Sequence, residues 1–136
     1  MERRASLDVE RQVRQLLKGW AGAVGDRDAE RVVAYYDGRS AIVAGSMDPQ
    51  IHRGREAILD YFQRLFDRAE VDVHFADLSV REYEDLALCH GNYTIRLRGE
   101  GAGTFHVRYM FAVENDGPHG WHIIEHHASL VPDPRI

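Results

Sequence analysis

Histidine is the residue type whose number and placement suggest chemistry. The chain holds eight, and His106, His119, His122, His126 and His127 fall in its last third. Imidazole is the side chain whose ordinary pKa lies nearest neutrality, so a histidine in a cleft is a natural acid or base. Taking Arg98 opposite Gly103 and Val113 opposite Trp121 at the two hairpin tips sets a register. In that register Tyr93, Arg108 and His126 form one row across three neighbouring strands, with His106, Met110 and Ile124 on the same face. Directly opposed side chains sit about 5 Å apart at Cβ, close enough to share a ligand, and a one-residue slip would send any of them to the other face.

In that row His126, or His106, is the candidate acid/base. Arg108 would hold a carboxylate or steady a developing oxyanion, and Tyr93 would orient it. A guanidinium cannot shed its charge, so burying Arg108 requires an anionic or multiply hydrogen-bonding partner. That partner is either a bound carboxylate, phosphate or enolate, or a carboxylate of the chain such as Asp60. An arginine bonded to carbonyls and water at a sheet edge is the plain alternative.

Other constellations carry less. His122-Ile123-Ile124-Glu125-His126 has zinc-binding spacing only on a helix; on a strand its imidazoles are about 13 Å apart. His126 and His127 point to opposite faces, so a metal would need His106, His126 and a carboxylate together, and neither metal nor cofactor is expected. Cys89 is the single cysteine, cannot form an intramolecular disulfide, and reads as a buried apolar residue. Ser46, Ser79 and Ser129 lie in no nucleophile elbow. Trp20, Tyr35, Tyr36, Tyr61 and Phe62 read individually as core; together they fit the lining of an apolar small-molecule cavity. His52-Arg53-Gly54-Arg55, ahead of a helix, is either a solvated loop or an anion-receiving helix start.

The elements that must position these groups follow from periodicity. Val9, Val13, Leu16, Leu17, Trp20 and Val24 recur at helical spacing over about 7–24. Gly25-Asp26 ends that helix, and Asp28 can cap a short second one reaching Tyr36. A short strand over 41–44 precedes a third helix, marked by Ile58, Leu59, Phe62, Leu65 and Phe66, to about Arg68. After Glu70 the period becomes that of strands, over 71–82, 86–98, 103–114 and 121–131, with short turns between them. This is α+β: three N-terminal helices packed on a curved antiparallel sheet. On 103–113 Phe105, Val107, Tyr109, Phe111 and Val113 make an apolar face, and Thr104, His106, Arg108, Met110 and Ala112 a mixed one. Both faces are therefore expected to be covered, one by helices and the apolar one (Tyr109, Phe111, Trp121, Ile123) by a second subunit.

The 136 residues bear 17 basic and 22 acidic side chains, for a net charge of −5. That length suits one domain, 1–136. The acidic balance excludes a phosphate-backbone binder as first choice, and no apolar run reaches the roughly 20 residues of a membrane span. Neither nucleic acid nor membrane is an expected partner. Met1-Glu2-Arg3-Arg4-Ala5-Ser6 leads into charged amphipathic sequence and not into a signal peptide's apolar core, so a cytoplasmic location is expected.

Several stretches carry a resemblance: Gly25-Asp26-Arg27-Asp28, Tyr36-Asp37, His52-Arg53-Gly54-Arg55-Glu56-Ala57-Ile58, Gly91-Asn92-Tyr93-Thr94 and Arg108-Tyr109-Met110-Phe111. The most specific is the close, Trp121-His122-Ile123-Ile124-Glu125-His126-His127-Ala128-Ser129-Leu130-Val131-Pro132. Over nearly its whole length the chain resembles the nuclear-transport-factor-2-like superfamily, in its SnoaL-like branch of SgcJ/EcaC type. It is also similar to the calcium/calmodulin-dependent kinase II association domain. The resemblance implies a cone enclosing a pocket, with the outer sheet face used for dimer formation. Members include polyketide cyclases, ketosteroid isomerases, epoxide hydrolases and dehydratases, as well as proteins that only bind or assemble; fold alone does not choose among them. The isomerases' base position corresponds to the neighbourhood of Ala44, which holds no carboxylate. The association domain's pocket arginines correspond to Arg108 and to two positions that are Tyr93 and Ala128 here. Two functions are implied. One is a small-molecule-binding protein, or a tailoring or accessory enzyme of secondary-metabolite biosynthesis, acting on a carboxylate or polyketide-like ligand. The other is a non-catalytic oligomerisation or ligand-sensing domain, with a homodimer as the assembly.

Overall fold

The computed structural model describes residues 3–133, so the first two and last three residues of the expected domain lie outside the described range. Helix α1 spans Leu7–Gly25. Ser6 caps it by accepting the Val9 N–H at 3.2 Å, and Asp8 and Glu10 sit favourably at the positive end of its dipole. Val13, Leu17, Trp20 and Val24 form its buried stripe. Asp28 caps α2, Ala29–Ala34, through the Arg31 N–H. Strands β1 (Ile42–Ala44) and β2 (His52–Arg53) form a short hairpin ahead of α3, Gly54–Arg68, which buries Ile58, Phe62 and Phe66. The long strands are β3 (Ala69–Phe75), β4 (Ser79–Tyr83), β5 (Leu86–Gly99), β6 (Gly103–Asn115) and β7 (Trp121–Leu130). Among the described residues no helix is long and apolar enough to cross a membrane.

One sheet runs β2-β1-β7-β6-β5-β3, with β4 also paired to β5. It is mixed, because β1 runs parallel to β7 while the other pairings are antiparallel. Strand β1, which lies between α2 and α3 in the chain, enters the sheet beside the last strand. The expected strand over 71–82 is two, β3 and β4, on the same side of β5. Between them Ala76 and Asp77 both donate to the Asn92 carbonyl, and Asp77 Oδ1 accepts the Asn92 N–H. This kink crosses so closely over Gly91 that a Cβ there would run into the Asp77 backbone.

Register departs from expectation in two places. Leu97, not Arg98, pairs with Gly103, and Asn115, not Val113, pairs with Trp121. Strand β7 also carries a bulge: Ala112 pairs with Glu125 and Val113 with Ile123, leaving Ile124 extra. Trp121 and Ile123 point inward, and after the bulge it is His126, not Glu125 or His127, that does so. The inward face is therefore the apolar one, with Tyr93, Val107, Tyr109 and Phe111 packed beneath the helices. This overturns the expectation that Tyr109, Phe111, Trp121 and Ile123 await a second subunit. They are the core, because one amphipathic face of the sheet must bury against the helices and the more apolar one does.

A tyrosine-histidine relay at the end of an apolar pocket

A cavity of about 360 Å³ opens between α1, α3, the sheet and the loop over 45–50. Val71, Val73, Ile95 and Leu97 form its sheet wall, and Phe62 and Leu65 line it from α3. Trp20, Tyr93 and His126 close its inner end, each under 5% exposed. The mouth carries Asp48 on the loop and Arg64 and Arg68 on α3.

Three hydrogen bonds organise the inner end. Trp20 Nε1–H donates to the Tyr36 hydroxyl at 3.1 Å, Tyr36 Oη lies 3.1 Å from His126 Nδ1, and Tyr93 Oη lies 3.1 Å from His126 Nε2. Donor bookkeeping gives the direction. Tyr36 is buried, and among the described residues its hydroxyl has one available acceptor, His126 Nδ1. Nε2 must then carry the imidazole proton and donate it to Tyr93 Oη. The Tyr93 O–H is left over, at the cavity. Phe111 stacks on the imidazole at a 4.0 Å ring separation and Trp20 meets it edge-on at 5.2 Å, so the ring cannot turn without repacking the core.

Burial lowers the His126 pKa to about 3, with the neighbouring His127 adding to the effect, so the ring is neutral at physiological pH. Burial pushes both Tyr36 and Tyr93 well above the ordinary phenol range. Burial and the charge of Asp48 raise Tyr61 to about 12. The inner end is thus a neutral chain of donors that ends on one phenolic O–H.

The site residues expected from sequence divide into two groups. Trp20, Tyr61, Phe62, Tyr93 and His126 line the cavity, and Tyr36 stands one layer behind them. Ile124 is the bulged residue, half-buried and outside the lining. His106, Arg108 and Met110 lie on the opposite, exposed face of the sheet. Arg108 pairs with Asn92 and Ser129, and its Nε donates to Ser129 Oγ at 3.3 Å, so the expected Tyr93–Arg108–His126 row does not form. The physical reason is the register. One residue of slip between β5 and β6 puts Tyr93 and Arg108 on opposite faces. With His106 outside and both His126 nitrogens turned to tyrosines, the histidine pair a zinc site would require is not assembled.

Asp48, Arg64 and Arg68 escaped sequence reasoning. For the arginines a signal existed: Tyr61, Arg64, Leu65 and Arg68 follow i, i+3, i+4, i+7 spacing, a second stripe of α3 beside the buried one. Arg64 pairs with Asp60 at 2.9 Å, while Arg68 has no ion-pair partner among the described residues.

The family model for the SnoaL-like domain matches residues 13–134. The chain belongs to the SnoaL-like family. Its fold is the cystatin-like, nuclear-transport-factor-2-like α+β fold. A Xanthomonas campestris protein provisionally assigned as a calcium/calmodulin-dependent protein kinase II association domain is similar over 98% of this chain and 96% of its own, with TM-score 0.82 and 24% identity. A Streptomyces avermitilis protein provisionally assigned as a dehydratase of the NTF2-like family matches with TM-score 0.83 and 20% identity, over 94% of this chain and 100% of its own. A Novosphingobium aromaticivorans protein provisionally assigned as a scytalone dehydratase matches with TM-score 0.81 at 11% identity, over 93% and 86%. No curated protein matches the chain. For this SnoaL-like domain the structural likenesses establish architecture, and the pocket must speak for function.

Proposed function

We propose that this SnoaL-like protein binds a small, mostly apolar molecule whose carbonyl or enolate oxygen accepts the Tyr93 O–H. The observation that carries this reading is that hydroxyl, held by neutral His126 at the inner end of an apolar cavity. A preorganised donor in a water-poor pocket favours the build-up of negative charge on oxygen, the requirement shared by enolisation and by dehydration next to a carbonyl. Tyr93 is the group that touches the ligand; His126 is the positioning residue. Arg64 and Arg68 at the mouth suit a carboxylate edge of the same ligand. The dehydratase assignments of two structural neighbours agree with such chemistry. A cytoplasmic tailoring or accessory role in secondary-metabolite biosynthesis fits the family resemblance.

The test uses 1-tetralone, a rigid bicyclic ketone, as probe. Wild type should bind it with its carbonyl stretch shifted to lower frequency. Tyr93→Phe should weaken binding about fivefold and abolish the shift, since a net hydrogen bond contributes on the order of 1 kcal/mol. Unchanged affinity and frequency in Tyr93→Phe would refute the reading.

A second reading, homodimer assembly, is favoured by the likeness to a protein assigned as a kinase association domain. The outer sheet face, where Met110 pairs with both His90 and His127 beside Arg108, is the surface proposed for it. Arg108→Glu should halve the mass in solution; an unchanged mass removes this surface from the assembly.

A further inference from the structure

Asp48 is the one carboxylate among the residues lining the cavity, and the loop that carries it is held on both sides. Its Oδ1 accepts the Gln50 N–H at 2.8 Å, and its Oδ2 lies 2.9 Å from Nε2 of His52 on β2. The His52 side chain is 7% exposed and that of Asp48 21%. The His52 ring in turn packs 4.8 Å from the ring of Tyr61, which also lines the cavity. On the far side of the loop, Gly45 has no space for a Cβ because the Tyr61 hydroxyl occupies it. Asp48 therefore sits at a set position at the mouth.

The hydrogen bonds leave acceptor capacity unused. A carboxylate offers about four lone-pair sites, and Gln50 and His52 take one on each oxygen. Among the described residues the side-chain hydrogen-bond partner of Asp48 is His52. Burial raises the Asp48 pKa, but the Gln50 and His52 hydrogen bonds, with Arg64 nearby, outweigh it and hold the group below the usual carboxyl range. The group is then ionised and acceptor-only, so its complement on a ligand is a donor. With Arg64 and Arg68 lining the same mouth, an ammonium would be repelled and a neutral hydroxyl would not.

We infer that Asp48, steadied by His52, is the pocket's second polar anchor and selects ligands with a hydroxyl at the end opposite the oxygen that Tyr93 holds. This rests on the ligand reading above and narrows it to hydroxylated carbonyl compounds. A carboxylate that merely pins the loop would confer no such selection.

Two probes separate these possibilities: 6-hydroxy-1-tetralone and 6-methoxy-1-tetralone, titrated against wild type, Asp48→Ala, His52→Phe and Tyr93→Phe. Wild type should prefer the hydroxy compound by about ten- to a hundredfold, as expected for a hydrogen bond to a charged acceptor. Asp48→Ala should bring the preference to within about twofold while leaving the methoxy affinity unchanged, and His52→Phe should lower the preference without abolishing methoxy binding. Tyr93→Phe should weaken both probes alike and keep the preference. A preference that survives Asp48→Ala, or an equal loss for both probes in that variant, overturns the inference and leaves the Tyr93 reading standing. Binding that ignores Tyr93→Phe overturns the ligand reading alone. Wild type that binds neither probe at millimolar concentration overturns both.

Discussion

Protonating His126 should destabilise the fold in a way that can be measured without knowing any ligand. In the unfolded chain the imidazole titrates near 6.5; in the folded chain burial holds it at about 3. The folded-state pKa is depressed, so between these values the unfolded chain binds the extra proton and acid favours unfolding. Stability attributable to this group is complete above pH 6.5 and falls by about 1.4 kcal/mol for each unit of acidification below it. Between pH 7 and pH 5 the loss amounts to about 2 kcal/mol, provided only that the folded value lies below about 4. The assay is urea unfolding of wild type and His126→Gln at both pH values. The variant keeps an amide donor and acceptor but cannot titrate. Exposed histidines contribute equally to both proteins and cancel in the difference between differences. Asp37 and Asp48, held below the usual carboxyl range, lose their contributions only below about pH 4, outside this window. Wild type should lose about 2 kcal/mol more than the variant. Equal losses would mean that folded His126 accepts a proton readily, and the neutral relay between Tyr36 and Tyr93 would be refuted.

Other consequences are as direct. Gly91→Ala should destabilise by about 1–3 kcal/mol in urea unfolding, because the Asp77 backbone occupies the space for a Cβ; a neutral effect would contradict that close crossing. Tyr36→Phe leaves the buried Trp20 N–H and His126 Nδ1 without their partner and should cost about 1–3 kcal/mol, measured the same way. Phe111→Glu places a charge at a fully buried position in the core; the variant should lose near-UV circular dichroism, and a folded monomer would refute the inward placement of this face. Arg68→Gln should weaken 2-naphthoate binding a few-fold and flatten its salt dependence; an unaltered salt dependence would remove Arg68 from anion recognition.

The helices and most strands were legible because each buries one face and so writes its period into the sequence. Val13, Leu17, Trp20 and Val24 mark α1 as plainly as Ile58, Phe62 and Phe66 mark α3. His126, Tyr93 and the aromatic lining were legible by residue type. Their partnership was not, because it depends on register, and register depends on turn geometry and on one bulged residue that leaves no local mark in Trp121–Leu130. The same blindness placed Arg108 in the pocket and the core face of the sheet on the outside. Asp48 went unread for another reason: its partner His52 lies across a loop, where periodicity carries no information.

The bulge at Ile124 gives the adjacent histidines of β7 unequal fates. His126 enters the pocket while His127 faces solvent, although nothing in either side chain distinguishes them. Which imidazole belongs to the site is decided by counting residues along the backbone. Deleting Ile124 would remove the extra residue and still leave His126 opposite Phe111, whereas straightening the bulge with Ile124 retained would turn His127 inward in its place. The hazardous change in the last strand is therefore one that restores regular pairing without shortening the chain, because it moves every side chain after Ile123 to the other face.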